Sequence, residues 1–470
     1  MENQPRTSNI GCDRPPFRID FRMYKTTVLT ILLLVGLHQP AAAWSEHPLL
    51  VRPALERLPF WKEIPQVEVK SLETFLLETE SSLALFLAEH EIWSKQHLPN
   101  YKACPKEIQF AATGNREDIR LRFLTAIRIN PNAKIPLYLH LLPHDNADGK
   151  MAADPREITT LMDISTMQQS RYIWITAGDM ANPLDVLVSA TDEPDYGFDL
   201  GLFEDNQTAY GKKYGFGNQP FGNPNLEYSS QAPFHMGFYH EKRILYTFGP
   251  FLKENYIDYR IFLYKALSEF AFANQQPYWG WRFLGWGMHY VGDVSMPYHM
   301  KPLPGVSALR MIWINLKAMM GKPRARDHAV QLVSNRHTIF EDYQLQLIRK
   351  AHHNQQTDHP FFRALRQPSK ADKYSPDFLM QHASQNSAKS SKKLDATLAA
   401  SVPYRFVSDP TVEVSGHPES GMISEIVIKE SGHSADSLLT DAIAERLQAF
   451  GAEIRSFLYT ILDNTEMVLK

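Results

Sequence analysis

Two histidines and an aspartate fall within the eleven residues His289-Tyr-Val-Gly-Asp293-Val-Ser-Met-Pro-Tyr-His299. His289 and Asp293 stand four apart, so on a helix both project from one face. Pro297 ends such a helix, and the turn after it can swing His299 back toward that face. Imidazole nitrogens and carboxylate oxygens are the donor set that zinc prefers. The plainer alternative is an aromatic-rich core helix that carries two histidines for packing.

The same chemistry recurs elsewhere. His337 and Glu341 form another pair at helical spacing. Asp192, in Thr191-Asp-Glu-Pro-Asp-Tyr196, and His235, in Ala232-Pro-Phe-His235, bracket a segment rich in Gly, Asn, Pro and aromatics. Taken singly, Asp192 reads as a solvated turn residue and His235 or His337 as an ordinary histidine.

Apolar residues at three-and-four spacing predict the helices that must hold these groups. They run over 72–96, 117–129, 252–274, 277–293, 305–321, 325–350 and 435–463. Pro48 opens a short helix with Leu49, Leu50, Ala54 and Leu55 on its buried face. Tyr196 to Ser230 reads as a long irregular loop, of a kind that is often functional. Residues 353–434 turn polar, and Ser384 to Lys393 reads as a flexible linker. The expected fold is all-α, with long irregular loops and an insertion before the last helix. Residues 44–352 and 435–470 form the helical domain, and 353–434 form a polar, partly flexible insertion. There is no internal repeat, glycine-rich phosphate loop or nucleophile elbow.

The chain has 470 residues, with 44% hydrophobic and 21% charged, an ordinary globular balance. A formal net charge of −3 provides no basic field for nucleic acid. Met23-Tyr-Lys25, the apolar run Thr27–Leu37 and Pro40-Ala-Ala-Ala43 read as a secretory signal cleaved before Trp44. Residues 1–22 read as an upstream extension of that signal. Cys12 precedes the cleavage point, which leaves Cys104 and no internal disulfide. The mature protein is therefore expected to be exported, periplasmic or secreted, and stabilised by its core, by bound metal, or by both.

The central stretch resembles the H-[YF]-x-G-D-x-x-x-P-x-H motif of the zinc-dependent phospholipase C and S1/P1 nuclease superfamily. His337-x3-Glu341 is similar to that family's next ligand pair, and a mature terminus at tryptophan is also characteristic of it. The resemblance implies a multi-helix domain around a trinuclear zinc cleft. One ion would be held by Asp192, His235, His289 and Asp293, and a second by His299, His337 and Glu341. A third would take the amine and carbonyl of Trp44, the side chain of His47, and a shared Asp293. The family's first histidine lies further from the tryptophan than His47 does from Trp44, and His90 is the other candidate for that place. Met296 stands where the family commonly has glutamine, a change beside the ligands rather than among them.

The resemblance further implies a metal-activated water attacking a phosphodiester, with Asp192 steering the water or accepting its proton. His337-x3-Glu341 and His-Tyr-Val-Gly-Asp are closer to the phospholipase branch, so the implied activity is phospholipase C-type hydrolysis of phospholipids, with transient contact at a membrane surface. A single-strand nuclease or 3′-nucleotidase is the second reading, with nucleic acid as its substrate. A non-enzymatic, zinc-stabilised exported protein is the third, and would need closed metal sites.

Overall fold

The computed structural model describes residues 46–223 and 227–465. Trp44 and the expected signal segment lie outside the described residues. The chain is 61% helical and 3% strand, so the all-α expectation holds. The strands form two antiparallel two-stranded ribbons, Val67–Glu68 with Met180–Ala181 and Tyr138–Leu141 with Arg171–Trp174.

The chain passes through α1 (His47–Leu55), α2 (Leu72–His97), α3 (Ile119–Ala126) and α4 (Pro183–Ala190), then α5 (Glu227–His235), α6 (Arg243–Phe248) and α7 (Ile257–Ala273). The helices α8 (Pro277–Ser295), α9 (Ala308–Met319), α10 (Arg324–His353), α11 (Pro360–Arg366), α12 (Ser384–Ser401) and α13 (His433–Thr465) complete it. Several starts follow from local chemistry. The Ser71 side chain accepts a hydrogen bond from Thr74 N at the start of α2, and Asn182 does the same for Leu184 N at α4. Pro277 opens α8, where a missing N–H costs nothing.

Helix α8 is the axis of the fold. Every side chain from Tyr278 to Ser295 is buried, with α7, α4 and α13 packed around it. Glycines set how closely the neighbours approach. A Cβ on Gly285 would stand 2.5 Å from the Leu187 carbonyl oxygen of α4. A Cβ on Gly292 would meet Phe450 of α13 at 2.6 Å and the His47 ring at 3.1 Å. The glycine beside Asp293 thus leaves the space that the imidazole of α1 fills.

The segment 353–434 differs from the sequence expectation. Ser384 to Lys393 is the first part of helix α12 rather than a linker. Its inward face carries Ser384, Ser387, Ala388, Ser391, Leu394 and Leu398, all buried. Small side chains at three-and-four spacing allow close helix packing without the hydrophobic signal by which a buried face is normally read. Phe361, Leu365, Tyr374, Leu379, Phe406 and Val414 from the same segment join the main core. The Tyr196–Ser230 stretch is irregular as expected, apart from single tight turns and the start of α5, but Phe198, Phe203, Tyr214 and Phe216 tie it into the core.

Candidate metal centre

Helix α8 presents His289 and Asp293 one turn apart on its inward end, and both side chains are completely buried. Pro297 starts a separate helical turn, Pro297–Met300, that returns His299 to the same space. Helix α5 ends on His235, α1 begins on His47, and α10 supplies His337 and Glu341. A kink in the chain, the ends of three helices and the middle of a fourth therefore converge on one region.

The hydrogen bonds fix which ring atoms are free. The His289 Nδ1 stands 2.8 Å from the carbonyl oxygen of Thr191, so Nδ1–H donates there and Nε2 keeps its lone pair. That Nε2 lies 3.2 Å from His235 Nδ1 and 3.6 Å from Asp293 Oδ2. His235 Nδ1 is 2.9 Å from the same Asp293 oxygen, while its Nε2 faces Asp199 Oδ2 at 3.4 Å. Asp199 is itself held by Arg260 at 2.6 Å and by the Tyr290 hydroxyl at 2.6 Å. Asp293 Oδ1 points the other way, 3.8 Å from both His47 Nε2 and His299 Nδ1. One carboxylate therefore faces two histidine pairs, one with each oxygen.

Among the described residues, three groups of donor atoms, each within 4.8 Å of one another, could hold metal ions: His47 with Asp195 and His289, His235 with His289 and Asp293, and His299 with His337 and Glu341. The first two share His289, whose single free nitrogen can serve one ion at a time. The expected second set, His299, His337 and Glu341, is brought together complete. His235, His289 and Asp293 of the first set also meet.

Asp192 is in none of these groups. Its Oδ1 accepts a hydrogen bond from the His47 backbone N–H at 2.9 Å and lies 3.3 Å from His47 Nδ1. It holds and orients His47 from behind, leaving Nε2 to face Asp293. The aspartate that enters is Asp195, three residues on in the turn Pro194–Tyr196, with Oδ1 3.5 Å from His289 Nε2 and 3.8 Å from His235 Nδ1. The Asp-Glu-Pro-Asp spacing alone does not say which carboxylate turns inward. The intervening Glu193 is spent on Arg282, at 2.7 Å. His90 is remote from the cluster, stacked between Phe86 and Trp93 on α2.

The donor chemistry fits a bound cation. His47 Nε2 and both ring nitrogens of His299, together with Asp195 Oδ1 and Asp293 Oδ1, are buried without a hydrogen-bond partner. Each such atom costs about 1–3 kcal/mol when left unpaired. His337 Nε2 and Glu341 Oε1 lie 2.8 Å apart, yet neither is aligned for a hydrogen bond. Two lone-pair atoms converging in that way are arranged as joint ligands.

Burial and crowding shift the charge states of these groups. Burial pushes Glu341 well above its ordinary range, with Asp342, Asp195 and Asp293 adding to the effect. Burial, reinforced by Asp293, moves Asp195 up to about 7 against the pull of His235. Burial alone draws His337 down to about 3, which leaves a neutral imidazole ready to ligate. His235 goes the other way: burial disfavours its charge, but Asp199 and Asp293 outweigh burial and raise it to about 10.

Behind the His299 group, Tyr298 stacks on His337 at 5.3 Å between ring centres and donates its hydroxyl to Asp395 Oδ1 at 3.1 Å. Arg336 holds the other Asp395 oxygen at 2.6 Å. Asp395 belongs to α12, so the segment expected to be a flexible insertion supports a ligand from behind.

A polar basin of about 440 Å³ reaches the cluster, lined by Asp192, Asp195, Tyr196, Glu341, Asp342 and Arg349 among others. No family model, curated protein or solved structure matches this chain. Among the described residues, no helix is long and apolar enough to cross a membrane.

Proposed function

We propose that this chain is an exported, zinc-dependent phosphodiesterase acting on phospholipids in the manner of a phospholipase C, with three zinc ions in the cluster around Asp293. The observation that carries the reading is the set of buried, unpartnered imidazole and carboxylate atoms gathered in neighbouring groups around Asp293 and His299. The donors are nitrogen and oxygen with no thiolate, which suits zinc in a hydrolytic site. The basin leaves the Asp195 and Glu341 side of the cluster open, as a catalytic site requires and a purely structural one does not.

In this reading His235, His289 and Asp293, with Asp195, hold one ion, and His299, His337 and Glu341 hold another. His47 serves a third together with Trp44 and Asp293. Bound zinc supplies Lewis acidity toward the phosphoryl oxygens and lowers the pKa of water toward about 7. Asp293 fixes the spacing between the two histidine pairs. Asp192 lines the basin beside His47, and in this reading it would accept a proton from the attacking water. Signal cleavage before Trp44 belongs to the same proposal, since it creates the terminal amine that the third ion needs.

The test is the mature, metal-replete protein, with bound zinc measured and phosphatidylcholine and single-stranded DNA assayed side by side. The expected result is zinc bound in stoichiometric amounts and chelator-sensitive release of diacylglycerol. Turnover of DNA alone would replace the lipid substrate with nucleic acid. Absence of zinc would overturn the reading.

A further inference from the structure

On the stripe of α10 next to the basin lies a cavity of about 190 Å³ with a different lining. Its floor is a separate apolar cluster, Phe221, Ala232, Phe238 and Leu252. Its far wall is α9, through Met311, Ile312, Leu316 and Met319, and its near wall is α10, through Val330 and Val333. The inner end reaches Tyr298 and His337, so the cavity stops against a member of the candidate metal centre. At the outer end, Phe248 of α6 and Met319 of α9 line the cavity while each is 50% exposed. The cavity is therefore a passage from the surface toward His337.

The surface around that mouth is apolar and basic. Leu309 is 76% exposed, Trp313 54% and Met320 64%. Of α9, only Met311 and Ile314 are buried. Single exposed apolar residues are ordinary, but a run of them on one short helix beside an apolar opening is not. Between Val306 and Arg326 the sequence has five Arg or Lys and no Asp or Glu. Arg310 and Lys322 are exposed, and Lys317 lies over the Trp313 ring at 5.0 Å. An exposed tryptophan among aliphatic side chains and cations is the pattern of a helix that rests in a lipid interface.

We propose that this cavity receives one hydrocarbon chain of a phospholipid, taken from a lipid surface on which α9 rests, with the polar head directed to His337. The direction of the head rests on the phosphodiesterase reading above, whereas the chain site does not. Its physical basis is that hydrocarbon leaves water for a preformed apolar space, so each methylene that enters tightens binding by about fourfold.

The test uses dodecylphosphocholine, held below its critical micelle concentration, and butylphosphocholine, with the zinc-loaded protein in a calorimeter. The dodecyl compound should bind on the order of a hundredfold more tightly, the gain expected when about three or four of its additional methylenes enter the cavity. Met311→Trp, which fills the space, should remove most of that difference. Phe248→Glu, at the exposed mouth where folding is not at stake, should weaken the dodecyl compound at least about tenfold and leave the butyl compound unchanged. Trp313→Ser should reduce binding to vesicles of mixed phosphatidylglycerol and phosphatidylcholine without changing capture of the monomer.

Affinity that does not depend on chain length, or that neither cavity variant alters, would overturn the site. Vesicle binding unaffected by Trp313→Ser would overturn the lipid surface as the source. Hydrolysis of a chainless chromogenic phosphodiester tests the metal centre separately. Chain-dependent binding in a protein that hydrolyses no diester would support the cavity while removing the phosphodiesterase reading.

Discussion

Two faces of α10 carry opposite chemistry, and they are adjacent stripes of one helix. Val330, Val333, Ser334 and His337 line the apolar cavity, at spacings of three, one and three. Thr338, Glu341, Asp342, Leu345 and Arg349 line the polar basin, one step further round the helix. Thr338 touches both. Successive helical residues are turned by about 100°, so moving the pattern by one position changes the face from hydrocarbon to carboxylate. The apolar side is cheap to leave empty, because its lining is mostly hydrocarbon. The polar side is costly to leave empty, because buried nitrogens and oxygens lack partners. The first is built to accept a ligand by exclusion of water, the second by coordination.

The sharpest way to break that contrast is on the polar side. Asp195→Ala should lower bound zinc and reduce hydrolysis at least about a hundredfold, the loss expected when a ligating or charge-stabilising group is removed. Asp192→Ala should cost about tenfold to a hundredfold, as for a group that orients a ligand from behind. Zinc content by mass spectrometry and turnover of phosphatidylcholine check both. The reverse ranking would return Asp192 to the ligand set and exclude Asp195.

Proton competition distinguishes the two faces next. Since Asp199 and Asp293 raise His235 to about 10 in the metal-free protein, an ion binding there must displace a proton. Apparent zinc affinity should therefore rise with pH, by up to about tenfold per unit below pH 10. The sign for stability is opposite. The raised pKa contributes stability to the metal-free fold that is fully present below about 6.5 and lost as pH rises through about 10. Zinc titrations and thermal melts at several pH values, with and without chelator, read the two effects. Hydrocarbon binding to the other face should not follow this profile.

The smallest effect concerns support from α12. Asp395→Asn keeps the shape but weakens the hold on Arg336 and Tyr298, and should lower stability by about 1–3 kcal/mol. Activity should fall several-fold through displacement of the Tyr298 ring from His337. A melt combined with KM and kcat separates these consequences. No change in either would detach α12 from the centre.

Much of the candidate site was readable from spacing. The i, i+4 pairs His289–Asp293 and His337–Glu341 and the proline between Asp293 and His299 each encode local geometry, and local geometry is what a helix preserves. The choice between Asp192 and Asp195 was not readable. It depends on a tight turn, where two carboxylates three apart face different directions and the neighbours decide which is inward. Asp199 was hidden for a related reason. It lies in an irregular loop, and only the fold brings Arg260, Tyr290 and His235 to it. Helix α12 was concealed because serine and alanine give little periodic hydrophobicity, although their small size is what lets the helix pack closely.

The sequence by itself determined that the chain is helical and that imidazoles and carboxylates recur at helical spacing. These follow from residue type and period, which act over a few residues. Tertiary structure alone decided that four separate elements meet at Asp293, that Gly292 leaves room for His47, and that the two stripes of α10 open into a basin and a cavity. Those are consequences of packing between distant segments, where the free energy of burying apolar faces fixes positions that no local pattern specifies.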